Sequence, residues 1–508
     1  MTIVIIVGCT GESGSTDGLE ETGSEGGAGD GDGDGDGDED GDGDGDGDGE
    51  GDGDGDGEGD GDGDDLPASC TAIPMPAVDW YAAPGGQADA LGTLDDPLAL
   101  DVLLSASGPA KPGDRIELLA GTYTGPFRSS VSGAPGAPVV FAAERGAVVV
   151  IDSNGPNVTD ESMAALRIDG AWVEFHGMSF TSSLPDRSQR LDGVTVFGAN
   201  VRVVNNIIHD NGQGVGFWTP AVDSELSGNI IYNNGFEGID RGHGHAVYTQ
   251  NLDGTKLITR NIIFFGYGFG IHAYTEGGSI EGFDIVENLW FRTGASVAGA
   301  SLEGASDGCL TGGLQPLRRT RLIDNLGWGP TLNARSTRIG WSGSVQNDSI
   351  TVTGNSFGGL FAVQGQWAGE HVIEDNEFFG LSGLDPADWP DNEYRAELPT
   401  SNRVVIHPND DDPGRLDLIV FNWAGADEVL VDLGAYLPTG APYELFSVFD
   451  LFGPPVHSGE FTGEPIGVPM GTVPPVQPTH DPGVITGVDD PGKAFGVFVL
   501  RTDCNLQG

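Results

Sequence analysis

Positive charge is scarce in this sequence. Its 508 residues carry 22 Lys and Arg against 78 Asp and Glu, a formal charge of -56. Residues 1–65 hold 25 of the acids and no Lys or Arg, which leaves 53 acids and a net -31 on the rest. That balance argues against a nucleic-acid partner, because phosphate binding needs clustered cations that release counterions. It also disfavours unaided capture of a polyanionic polysaccharide, unless Ca²⁺ bridges or a local basic patch exists. Beyond the N-terminus, no apolar run suggests a bilayer-spanning helix. Helical periodicity is missing between residues 160 and 385, where Gly and β-branched residues dominate, as parallel strands require. Gly numbers 85 but shows no three-residue period, so a collagen-like reading fails. Only four cysteines are present. Cys70, Cys309 and Cys504 are odd in number and allow one disulfide at most. Cys70 and Cys504 bracket the folded region and are the preferred pair; three buried, reduced thiols are the alternative.

The fourth cysteine ends the run Met1-Thr-Ile-Val-Ile-Ile-Val-Gly8-Cys9. This resembles the lipobox of bacterial lipoproteins. The resemblance implies lipidation of Cys9 and display at the outer membrane, the cell surface or outside a bacterium. The apolar run is short and no Lys or Arg precedes it, so the expectation is a start codon further upstream. A chance Gly-Cys is the alternative. Residues 1–9 are thus read as a truncated signal and 10–66 as a spacer, almost pure Gly-Asp from Asp30 to Asp65. Such a segment buries no apolar surface and its charges repel, so it is expected to be disordered and extended. It lacks the apolar position of the calcium-binding β-roll nonapeptide, so only weak cation condensation is expected of it. The membrane is a partner through the lipid anchor alone. Ca²⁺ is the one cofactor left open, with no defined metal site, and the chain is expected to be a monomer.

One pattern recurs through the middle of the chain. It runs Asn206-Ile-Ile, Asn229-Ile-Ile-Tyr, Asn261-Ile-Ile-Phe, Asn288-Leu-Trp-Phe, Asn325-Leu-Gly-Trp, Asn355-Ser-Phe and Asn376-Glu-Phe-Phe, with Gly177-Met-Ser-Phe180 a degenerate member ahead. The spacings are 23, 32, 27, 37, 30 and 21 residues. A helical solenoid would keep a tighter period; a coil of strands keeps its strands and varies its loops. Each Asn is expected at a bend, bonded to backbone and to the Asn one coil away. The apolar residues after it are expected to point inward and stack on their equivalents. Seven recurrences weigh against a sandwich with chance repeats. The predicted fold is all-β: a right-handed parallel β-helix over 67–395, then a small antiparallel β-sandwich over 396–508.

From Trp80 to about Leu384 the chain resembles the right-handed parallel β-helix proteins of the pectin-lyase-like superfamily. The opening stretch "DWYAAPGGQADALGTLDDPLAL" followed by "KPGDRIELLAGTYTGPF" resembles that of its polysaccharide-processing members. There a short helix plugs the open end of the first coil. Pro97–Leu104 is expected to form it, with Leu98, Leu103 and Leu104 on its apolar side. The resemblance implies polysaccharide as the substrate or partner, and a lyase or glycoside hydrolase if the chain is an enzyme.

Three of the nine His fall between residues 238 and 278: His243, His245 and His272. If Phe217, Val247 and Ile271 face in, Trp218, Tyr248 and His272 stack outward, with Gln250 and Tyr274 beside them. That makes an exposed aromatic and polar stripe able to bind sugar through ring stacking and hydrogen bonds, with Arg335 a further member. A lyase needs a base and a cation that neutralises the substrate carboxylate. His272 and Tyr248 are the candidate base and acid, and Arg241, Arg335 or Ca²⁺ the neutraliser. A hydrolase needs paired carboxylates, for which Asp240, Glu237 and Glu276 are available. His243 and His245 flank Gly244 and read equally well as a polar turn; Tyr248 and Tyr274 read more readily as plain strand formers than as site residues. No motif of one lyase or hydrolase family is matched, so no catalytic set is carried over. Asp410-Asp411-Asp412 in the C-terminal module is read as a solvated acidic loop in preference to a Ca²⁺ site. Two functions follow: a tethered extracellular protein that cleaves or binds polysaccharide along the helix face, or a non-catalytic surface protein binding glycan or partner proteins.

Overall fold

Three parallel sheets wind through the chain in a repeating order, and this follows from how each coil bends. The computed structural model describes residues 70–154, 164–238, 242–294, 307–329, 331–479 and 491–506. All of them fall in one compact unit, Asp64–Gly508. Cys9, Asp240 and Arg241 lie outside the described residues. In coil order the first and second sheets have eleven strands each and the third has nine. The first runs from Trp80–Gln87 to His371–Glu374, the second from Gly121–Thr124 to Glu393–Arg395, the third from Phe127–Ser129 to Leu360–Val363.

The recurring Asn lies at the bend from first to second sheet. The residue before it takes positive φ: Asn205 55°, Gly228 64°, Arg260 53°, Glu287 54°, Asp324 54°, Gly354 71° and Asp375 56°. That left-handed step turns the chain within one residue, so the strands on either side belong to different sheets. A non-Gly residue there costs roughly 1–2 kcal/mol. The Asn side chain offsets the cost. Each Nδ2 donates to the Oδ1 of the Asn one coil on, at 3.2, 2.9, 3.0, 3.1, 2.9, 2.8 and 2.8 Å along Asn206, Asn229, Asn261, Asn288, Asn325, Asn355, Asn376 and Asn392. The same Nδ2 also donates to a carbonyl of the coil before, as Asn261 does to Leu226 at 3.0 Å. Asn392 is a member that the sequence pattern missed, because Glu393 and Tyr394 follow it.

Of the three residues after each Asn, only the middle one points inward. Ile208, Ile231, Ile263, Trp290, Phe357 and Phe378 are in the helix core. Their neighbours point out, which corrects the expectation that the apolar run stacks inside. Ile230, Tyr232, Ile262, Phe264, Leu289, Phe291 and Leu326 pack instead with Ile419, Phe421, Phe446 and Val499 of the C-terminal module. A strand buried on both faces reads as an unbroken apolar run.

That module holds a five-stranded antiparallel sheet and a two-stranded one, Glu428–Val431 with Ile466–Pro469, which share a core of their own. It covers the flank of the β-helix along the second sheet. Ion pairs fix it there. Asp411 meets Arg202 at 2.9 Å and Asp410 meets Arg260 at 2.5 Å. Asp411 is thus bound to an arginine at the junction, which corrects the reading of this loop as freely solvated. Cys70 and Cys504 form the disulfide, and Cys309 is buried and reduced. The plug is shorter than expected, Leu100–Leu104, with Leu100, Leu103 and Leu104 buried against the first coils.

Candidate carbohydrate-binding face

The outer side of the third sheet carries the candidates. Strand alternation buries Val215 and Phe217, Val247 and Thr249, Ile271 and Ala273. Between them the outward row runs Arg167, Thr195, Gly216, Tyr248, His272, Leu310, Arg338 and Ala362. Phe217 pairs with Thr249, so Trp218 stands level with Gln250 and Tyr274, not with Tyr248. The expected alignment was therefore two residues out. It kept the faces right because a shift of two preserves alternation.

The rings touch in sequence across the coils. Centroid separations are 6.2 Å for Phe197–Trp218, 5.5 Å for Trp218–Tyr248, 5.4 Å for Tyr248–His272, 4.8 Å for His272–Tyr274 and 5.6 Å for Tyr274–Trp341. Arg167 caps one end over Phe197 at 4.5 Å and Arg338 the other over Trp341 at 4.6 Å. The ribbon is half-buried, not exposed. His272 is 8% exposed, stacked between Phe269 at 4.2 Å and Tyr274. His245 lies 4.4 Å from it, and its Nδ1 accepts from the Phe269 N–H at 3.2 Å. That bond requires the neutral ring with its proton on Nε2. Tyr274 is pushed up to about 12 by burial and by Glu276, so at neutral pH it stays a donor.

The other candidates scatter. His243 belongs to a short antiparallel pair, Phe236–Glu237 with Gly242–His243, and stacks on Phe236. Glu237 lies in that antiparallel pair before the sheet strand, whereas exposed Glu276 lies beyond its far end. These two therefore flank the sheet from opposite ends. Arg335 is exposed and sits before a bulge; Arg338 takes the place in the row that was expected of Arg335. Arg338 is bonded to buried Asp307. No group of three or more His, Cys, Asp or Glu side chains is gathered for a metal among the described residues.

Three functional-looking residues escaped the sequence reading. Asp192 is outward on the strand Asp192–Val196, 4% exposed, with Gln213 donating to Oδ1 at 2.9 Å and Thr195 to Oδ2. Burial pushes its carboxyl up to about 7, against those two bonds and the charge of Arg190. Asp307 is also raised by burial, opposed by Arg338. The two are four strands apart, roughly 19 Å at 4.8 Å per strand. That is too far for a hydrolytic carboxylate pair, which needs about 5–9.5 Å. Third, Lys256 is buried facing inward, its Nζ donating to the carbonyls of Phe217 at 2.8 Å, Trp218 at 2.5 Å and Gln250 at 2.6 Å. It pins the corners that carry Trp218 and Gln250. Burial lowers its pKa well below the ordinary value. Its only signal was a lone Lys opening an apolar strand.

Asp192 gives a prediction with a definite sign. Its folded pKa exceeds the ordinary carboxyl value, so folding favours the protonated form. Stability from this group is full below about pH 4 and is lost as pH rises through about 7. Asp192→Asn should remove that loss and stabilise the chain at pH 8 by on the order of 2 kcal/mol, once relaxation of the buried carboxyl is allowed for. Thermal denaturation of both proteins from pH 4 to 8 checks it; parallel profiles would contradict it.

A family model described as "Right handed beta helix region" matches residues 143–306. No curated protein matches the chain in sequence. Among solved structures, the pectate lyase Pel9A is similar over 58% of this chain and 78% of its own, at 17% identity and a TM-score of 0.42. An alginate lyase from Paenibacillus sp. is similar over 54% and 95%, at 20% identity and 0.39. XylC, solved with xylose, is similar over 83% and 99%, at 9% identity and 0.42. The right-handed β-helix itself rests on the matched region and the three parallel sheets.

Proposed function

We propose that this chain is a carbohydrate-active protein that takes a linear polysaccharide along the outer face of its third sheet. The observation that carries this reading is the unbroken run of ring contacts from Phe197 through Trp218, Tyr248, His272 and Tyr274 to Trp341. Aromatic faces with polar edges suit sugars, whose C–H faces stack on rings while their hydroxyls take hydrogen bonds. Gln250 adds an amide beside Tyr248.

A catalytic version of this reading is favoured by the packing of His245, His272 and Tyr248 within 5.6 Å of one another, ring centre to ring centre. An imidazole beside a phenol can move a proton near neutral pH. His272 would be the base and Tyr248 the acid. Incubation with a polysaccharide panel, read out as new unsaturated or new reducing ends, tests it. The expected result is product from the natural chain and a loss of about 100-fold or more in His272→Ala. Binding without product, unchanged in His272→Ala, would leave the ribbon a binding face and remove the catalytic version.

We further read the chain as tethered outside a bacterial cell by lipid on Cys9, with residues 10–66 as spacer. The Cys70–Cys504 disulfide supports an oxidising compartment. Mass spectrometry of the mature N-terminus should find a diacylated Cys9; an unmodified Met1 would contradict it.

A further inference from the structure

Ser179, His209 and Asp210 meet on the outer side of the second sheet, whereas the ribbon lies on the third. Ser179 Oγ is 3.1 Å from His209 Nε2, and His209 Nδ1 is 2.7 Å from Asp210 Oδ2. Asp210 Oδ1 accepts from Arg187 at 2.5 Å and from the Thr479 N–H at 2.7 Å. Those two donors fix the carboxylate and leave Oδ2 to the imidazole. Burial works to raise the Asp210 carboxyl, but His209, Arg187 and the Thr479 amide together hold it below the ordinary value. It is therefore an anion at neutral pH and accepts from Nδ1–H. Nε2 then presents its lone pair to the Ser179 hydroxyl, which donates to it.

Packing alone does not ask for this arrangement. In the next coils the place of His209 is taken by Tyr232, Phe264 and Phe291, which the C-terminal module covers. A phenyl ring at 209 would stack on Tyr232 as the imidazole does, at 5.0 Å, with no need of Ser179 or Asp210. The row of Ser179 runs Val150, Ser179, Ile207 and Ile230. The hydroxyl thus stands between two larger apolar side chains. Val150, Thr181, Ile207 and His209 around it are each partly open to solvent. Ser179 is 4% exposed and forms the floor between them, and Phe452, 50% exposed, stands 6.1 Å from the imidazole at the edge. Val150 and Ile207 are two coils apart, roughly 9.6 Å, which leaves room between them for an acetyl group.

We propose that Ser179, His209 and Asp210 form a site separate from the ribbon, a serine nucleophile with its base and a positioning carboxylate, that cleaves esters of small acyl groups. It does not depend on glycan binding at the ribbon. Ser179 Oγ attacks the ester carbonyl carbon while His209 Nε2 takes the hydroxyl proton. The alcohol leaves with that proton, and the acyl group remains on Ser179. Water then attacks the acyl carbon and gives a proton to His209. The carboxylic acid leaves, and the proton returns to Ser179 Oγ. Asp210 touches no substrate; it orients the imidazole and stabilises the imidazolium formed in each step.

The test treats the full chain with a small alkyl fluorophosphonate and, separately, with p-nitrophenyl acetate. The fluorophosphonate is attacked by an activated serine with loss of fluoride, and peptide mass spectrometry shows which serine carries the adduct. The natural chain should be labelled at Ser179 and should release nitrophenolate; Ser179→Ala should do neither. His209→Phe keeps a ring against Tyr232 and removes the base. Read well below its melting temperature, it should label at least about 100-fold more slowly. Asp210→Asn keeps the shape of the side chain and should slow labelling about tenfold or more, a rate that a purely structural role would not move in the folded protein. No adduct at Ser179 in the natural chain, or equal labelling in His209→Phe, overturns the triad. An adduct at Ser179 without nitrophenolate release overturns the ester reaction.

Discussion

Replacing Asn261 by Leu should lower the unfolding free energy by roughly 5 kcal/mol, the cost of several buried polar groups left without partners. Asn261 is fully buried. Its Oδ1 accepts from the backbone N–H of Asn229 at 3.0 Å and from Asn229 Nδ2 at 2.9 Å. Its Nδ2 donates to Leu226, Thr259 and Asn288, each at 3.0 Å. Leucine has a similar size but answers none of these groups. Water cannot enter to replace it, because the Asn ladder is sealed between the first and second sheets. Each coil is supported only by its neighbours, so damage in the middle spreads both ways. Asn392 is the contrast. It is half-buried at the end of the ladder and its Oδ1 serves only Asn376. Asn392→Leu should cost about 1–2 kcal/mol. Denaturant unfolding of both variants checks the difference; equal small losses would mean that the ladder does not hold the coils.

Removing the ribbon's central rings should abolish glycan binding while leaving the fold intact. Trp218→Ala with Tyr274→Ala takes away the partners of Phe197, Tyr248, His272 and Trp341. Loss of two aromatic contact faces is worth about 3 kcal/mol, or more than 100-fold in affinity. Both residues are half-buried on the outer side, so the inward core is untouched. The melting temperature should change by only a few degrees. Affinity electrophoresis in gels containing polysaccharide gives the readout. Unchanged retardation of the double variant would remove the ribbon from the account.

The bends were legible in the sequence because a buried Asn has only one comfortable place in such a coil. It must accept from the coil before and donate to the coil after, so the same residue type returns at each bend. The faces were legible too, since alternation depends only on odd or even steps. The register was not: Trp218 beside Gln250 and Trp218 beside Tyr248 both keep Phe217 and Val247 inside. Loops of varying length between Asn and strand hid the rung of each later residue. For that reason Arg335 was favoured over Arg338, and Asp192 and Asp307 went unnoticed. Their chemistry comes from burial, which a single sequence shows poorly. One signal was present but misread. Asn-Ile-Ile-Tyr and Asn-Ile-Ile-Phe are apolar at every position, which a strand with a solvated outer face would not be. The C-terminal module covers that face, and Tyr232, Phe264 and Phe291 lie beneath it.

Hydroxyl-radical footprinting of the full chain with and without a bound polysaccharide tests the central claim most directly. The ribbon account predicts protection of Trp218, Tyr248, Tyr274 and Trp341, with Trp367, Trp389 and Trp423 unchanged. Protection confined to the C-terminal module, or to the far end around Trp367 and Trp389, would contradict it.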